Sequence, residues 1–137
     1  MFKKIFSKSN DKKKETPLGL KAIIALQDGN YNVALPLLNE YIKMIEGLNI
    51  PLTSDDAVFY YNRSIVKDNL NDVDGAIVDL KKCIKICDLH QAYFALFQLL
   101  FYKKNEKQEA LNFLIKAHEA GSDKAEPILR INTNYFN

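Results

Sequence analysis

The chain has 137 residues, 47% of them hydrophobic and 26% charged, which suits one globular domain and excludes collagen-like, mucin-like and wholly disordered classes. Four Pro and five Gly are too few for the many tight turns of a barrel or sandwich, so an all-helical protein is expected. The net charge of +2 is unevenly placed, with six Lys against Asp11 and Glu15 in residues 1–15, and only two of the 19 basic residues are Arg; nucleic acid is not the expected partner.

Residues 1–16 read as a basic flexible tail, because Lys3 and Lys4 interrupt Phe2, Ile5 and Phe6 and no signal-peptide core follows. Beyond Pro17 the apolar residues fall at helical spacing. Leu18, Leu20, Ile23, Ile24 and Leu26 predict a first helix stopping at Asp28-Gly29, and Asn30 then caps a second helix through about Ile45 that Pro36 should kink. Ser54, with Asp55 and Asp56 in the first turn, predicts a third helix to about Leu70. Asn71 or Asp72 caps a fourth to about Cys87, and a fifth runs from about Leu89 to Lys104. Asn105 caps a sixth that Ala120-Gly121 closes, and a short capping helix covers about 124–132. No apolar stretch is long enough to span a bilayer.

The helices repeat. Tyr60, Asn71, Ala76, Ile77, Leu80 and Cys83 recur downstream, in the same order and at one constant offset, as Phe94, Asn105, Ala110, Leu111, Leu114 and Ala117. Upstream, a longer constant offset leads to Leu18, Gly29, Ala34, Leu35, Leu38 and Tyr41, the same unit with an insertion around Asn49–Thr53. A helix–turn–helix unit of about 34 residues is the period of the tetratricopeptide repeat. Residues 57–87, AVFYYNRSIVKDNLNDVDGAIVDLKKCIKIC, resemble one such repeat over its length. Residues 15–48 and 91–124 fit the frame more loosely. Small residues at the eighth and twentieth positions, Ser64 and Ala76, let the paired helices approach closely. Departures are Gln98 at an eighth position, Lys67 at an eleventh that is usually apolar, and Tyr41 at a small twenty-seventh.

The resemblance implies a right-handed α-solenoid of three repeats within residues 17–137, with ligands held in a concave groove. Its groove positions carry over to Leu20, Ile23, Leu26 and Gln27, then Tyr61, Asn62, Ile65 and Asn69, then Leu96, Leu99, Tyr102 and Lys103. The family's carboxylate-clamp positions hold Gly19, Ile23, Asn62, Ala92 and Leu96 without a cation, so clamp-type binding of acidic C-termini is not expected. The implied role is a non-catalytic scaffold or adaptor that binds a hydrophobic or amphipathic peptide of another protein. The alternative is a peripheral membrane or secretion adaptor located by its tail, and a homodimer would also fill the groove.

Other signals have simpler explanations. Cys83, Cys87 and His90 lie at i, i+4 and i+7 but lack a fourth ligand, so no metal is expected and buried inert thiols are preferred. No phosphate loop, nucleophile elbow or paired-His motif is present, so neither an enzyme nor a cofactor is expected. Two cysteines in a chain without a leader point to the reducing cytoplasm. Lys81, Lys82, Lys85, Lys103, Lys104 and Lys107 read as solvated faces.

Overall fold

The computed structural model describes residues 16–131, and among them every regular element is a helix. The expectations for the basic tail, with Phe2, Ile5 and Phe6, and for the chain beyond Ile131 lie outside the described residues. The chain divides into two compact units between Ile50 and Pro51, where the insertion between the first two repeats was read. Among the described residues no helix is long and apolar enough to cross a membrane.

The first unit contains α1 (Thr16–Gln27) and α2 (Tyr31–Gly47) packed as a hairpin. Gly29 turns the chain with a φ of 69°, a left-handed conformation that costs a residue without Cβ nothing. Asn30 is the N-cap residue of α2, though its side chain makes no capping bond. Helix α2 continues through Pro36 as one element. Ala22 and Ala25 of α1 and Ala34, Leu38, Ile42 and Ile45 of α2 are buried.

The second unit contains α3 (Ser54–Asn69), α4 (Val73–Ile86), α5 (His90–Gln98) continued by a π-turn (Leu99–Lys103), α6 (Lys107–Glu119) and α7 (Ala125–Ile131). Each helix packs on the next, most extensively α3 on α4 and α5 on α6. The start of α3 is a capping box on Thr53, one residue before the expected Ser54: the Thr53 N–H donates to Asp56 at 2.7 Å and the Asp56 N–H donates back to Thr53 Oγ1. Asp72 caps α4 by accepting the Gly75 N–H at 2.9 Å. A Cβ at Gly75 would overlap that carboxylate, so the cap and the glycine require each other.

The repeat spacing reappears in the burial. Ala34, Ala76 and Ala110 are fully buried, and so are Leu38, Leu80 and Leu114. The three alanines let the helices of a hairpin approach, and the three leucines fill the space between them. Gly29, Asn71 and Asn105 all adopt positive φ, at 69°, 65° and 56°. Asn105 therefore forms the turn and does not cap α6 as expected; Glu106 holds the cap position.

Helix α5 departs from the expectation of one α-helix to Lys104. The Lys104 N–H donates to the Leu99 carbonyl, five residues back, at 3.0 Å, the hydrogen bond of a π-turn that accommodates one extra residue. The following turn shows the consequence. After α3 the Asp72 N–H reaches the Lys67 carbonyl, and after α5 the Glu106 N–H reaches the Leu100 carbonyl, both at 2.8 Å. Leu100 thus stands where Lys67 does, one residue short of the offset that relates Asn71 to Asn105. Upstream of the turn the register is displaced by one residue, about 100° around the helix. Tyr93, at 9% exposure, takes the place of the fully buried Tyr60 that spacing had assigned to Phe94. Phe97, not Gln98, is buried at the place equivalent to Ser64.

Candidate functional site

Two adjoining clefts lie within the second unit. The first, about 340 Å³, is walled by Tyr61, Ser64, Ile65 and Asp68 of α3, by Leu80 of α4, and by Ala95, Gln98, Leu99, Tyr102 and Lys103 of α5 and its π-turn. The second, about 330 Å³, is lined by Tyr61, by His90, Gln91, Phe94, Ala95 and Gln98, and by Ser122, Asp123 and Lys124 at the corner between α6 and α7. Tyr61, Ala95 and Gln98 border both, so the clefts form one trough along α3 and α5.

Helix geometry explains which side chains arrive there. Tyr61, Ser64, Ile65 and Asp68 recur at three- and four-residue intervals and so share one face of α3. Ala95, Gln98, Leu99 and Tyr102 do the same on α5 and its π-turn. Tyr61 is half-buried, and burial raises its phenol above the ordinary value of 10.0; it stays a neutral hydrogen-bond donor at the trough's midpoint. The Ser64 hydroxyl is used internally, donating to the Tyr61 carbonyl at 2.6 Å.

The structure gathers five of the sequence-derived groove residues in the first cleft: Tyr61, Ile65, Leu99, Tyr102 and Lys103. Tyr102 is 70% exposed. Lys103 lines the cleft and pairs there with Asp68 at 2.7 Å, its side chain still partly exposed. Asn69 is engaged by its own helix, its amide donating to the Ile65 carbonyl at 2.8 Å. Asn62 is half-buried and lines neither cleft. Leu96 corrects the groove assignment: it is fully buried, because the π-turn rotates it into the core. Leu20, at 49% exposure, and Ile23, half-buried, belong to the first unit, as do Leu26 and Gln27.

No family model matches the chain, and no curated protein is significantly similar to it in sequence.

Sequence reasoning missed Gln98 and Phe94 as cleft residues because a strict repeat period turned Gln98 inward and Phe94 toward the neighbouring repeat. It also missed Ser122, Asp123 and Lys124, which lie in the link between α6 and α7. A further omission is the ion cluster behind the trough. Asp79 is 1% exposed, accepts two bonds from Arg63 at 2.8 Å each, and meets Lys67 Nζ at 2.9 Å. The unusual charge at Lys67 is thus the partner of a buried carboxylate one helix away.

Among the described residues no group of three or more His, Cys, Asp or Glu could hold a metal ion. Cys83 is fully buried, and burial, with Cys87 nearby, pushes its thiol up to about 12. A thiol so far from ionisation is a poor nucleophile at neutral pH.

Proposed function

We propose that this protein is a non-catalytic protein-binding module of tetratricopeptide type, a right-handed stack of helical hairpins acting as a cytoplasmic scaffold or adaptor. Its ligand is a hydrophobic or amphipathic segment of another protein, laid in the trough along α3 and α5. The observation that carries this reading is the continuity of the two clefts through Tyr61, Ala95 and Gln98. The matching burial of Ala34, Ala76 and Ala110 supports the repeat assignment.

Ile65, Leu99 and Phe94 provide apolar contact, and Gln98 and Tyr61 provide polar rungs that fix register. Each well-buried apolar anchor contributes roughly 1.5–3 kcal/mol, and ordering and association consume much of the sum. Micromolar affinity, about −8 kcal/mol, is the expected result.

The test is site-specific photo-crosslinking in cells, with a benzophenone amino acid at Tyr61 and, separately, at Val78, which is 63% exposed on α4 and lines neither cleft. A discrete protein adduct from position 61, lost on Gln98→Ala and absent from position 78, is the expected outcome. Equal labelling at the two positions, or labelling at 78 alone, rejects the trough as the binding site.

A further inference from the structure

Ser122 and Lys124 bring to the second cleft side-chain polar groups that form no hydrogen bond or ion pair among the described residues. Ser122 is 5% exposed and its hydroxyl has no hydrogen-bond partner among the described residues. The comparably buried Ser64 satisfies its own hydroxyl on the Tyr61 carbonyl. A buried hydroxyl left unpaired carries the cost of its desolvation, so a ligand that supplies an acceptor there recovers that cost on binding. Lys124 holds its ammonium 5.9 Å from the centre of the Phe94 ring and pairs with no carboxylate among the described residues. Both residues line the cleft that contains Phe94 and Ala95.

A buried hydroxyl donor and an ammonium that line one cleft with Phe94 and Ala95 match one carboxylate on the margin of an apolar surface. We propose that the corner between α6 and α7 receives an amphipathic helix of a partner protein bearing a single Glu or Asp beside its apolar stripe, the carboxylate accepting hydrogen bonds from Lys124 Nζ and Ser122 Oγ. This rests on the peptide-binding reading above and names the charge the partner brings. Asp123 lines the same cleft, so a second acid on the partner meets repulsion, and the site selects one carboxylate over an acidic run.

The experiment titrates the full chain with fluorescent peptides of about 14 residues, acetylated and amidated at their ends, with Leu at i, i+3, i+4 and i+7. One peptide carries a single Glu beside the Leu stripe, a second Gln at that place, and a third several Glu. The Glu peptide is expected to bind about fivefold more tightly than the Gln peptide, with the gap narrowing in high salt. Lys124→Met is expected to weaken the Glu peptide more than the Gln peptide and so to erase that difference, and Ser122→Ala to reduce it. The peptide with several Glu is expected to bind no more tightly than the single-Glu peptide. Equal binding of the Glu and Gln peptides, both abolished by Tyr61→Ala, overturns this proposal and leaves the trough as a peptide site. A Lys124→Met loss shared equally by both peptides, or tighter binding of the acidic peptide, also overturns it. Absence of binding by every peptide overturns this proposal and the peptide-binding reading together.

Discussion

In the α3–α4 hairpin, Asp79 sits 1% exposed between Arg63 and Lys67. In the α5–α6 hairpin the corresponding places hold Phe113, Leu96 and Leu100, and Phe113 stacks on Tyr93 with ring centres 6.4 Å apart. One hairpin is pinned by charge and the other by apolar contact, yet Ala76 and Leu80 bury as fully as Ala110 and Leu114. The comparison shows that these positions require a filled volume and satisfied groups, and that either chemistry meets the requirement. This accords with the near-neutral exchange of buried ion clusters for packed apolar side chains. The hairpins differ a second time in the π-turn, which α3 lacks. That single extra residue decides which face of α5 borders the trough.

The strongest way to break the comparison is to insert one Ala after Gln98. The π-turn already absorbs one extra residue, so a second one must rotate the upstream part of α5 by about 100°. Gln98 then takes the buried place of Phe97, unpartnered, while Tyr93 and Phe97 are displaced from theirs. A loss of about 4 kcal/mol is expected from urea unfolding, whereas a loss below about 1 kcal/mol would show that α5 tolerates either register.

Asp79→Ala comes next, with an expected loss of about 3 kcal/mol, because two cations lose their shared carboxylate. The triple substitution Asp79→Phe, Arg63→Leu and Lys67→Leu copies the other hairpin's chemistry. Its denaturation midpoint is expected to lie closer to wild type than that of Asp79→Ala. A triple variant less stable than the single one would show that the two hairpins are not interchangeable.

The smallest effect near neutral pH is alkaline. Burial pushes Cys83 from 9.0 to about 12, and burial followed by the hydrogen bond to Asp88 at 2.7 Å pushes Tyr93 from 10.0 to about 12. Both groups fold better protonated, so their contribution is complete below the unfolded values and falls as pH rises toward 12. Thermal melts are expected to drop first above pH 9 and more steeply above pH 10. Cys83→Ala, which installs the residue found at the equivalent Ala117, removes the first part of that slope, and Tyr93→Phe removes the second. An unchanged slope in both variants would place the alkaline sensitivity elsewhere.

Local chemistry made several features legible in the chain. Gly29 marks the turn after α1 because a residue without Cβ tolerates positive φ at no cost, whereas Asn71 and Asn105, expected as helix caps, take positive φ in the turns themselves. Ala and Leu at fixed spacing mark the buried face of each hairpin, since only one side of an amphipathic helix can face a partner. The π-turn was hidden because LLFYK is apolar nearly throughout, so its pattern does not distinguish one register from the next. Asp79 was unreadable for a different reason: its partners stand on the preceding helix, beyond the turn at Asn71.

The order of apolar and small residues was sufficient to specify helices, their turns and their pairing, because these depend on neighbours a few residues apart in the chain. Which side chains meet across the trough, and which hydroxyl is buried without a partner, depended on how α3, α5 and the α6–α7 corner come together. Those contacts join different helices, far apart in the chain, where a one-residue change in helical register redirects every side chain beyond it.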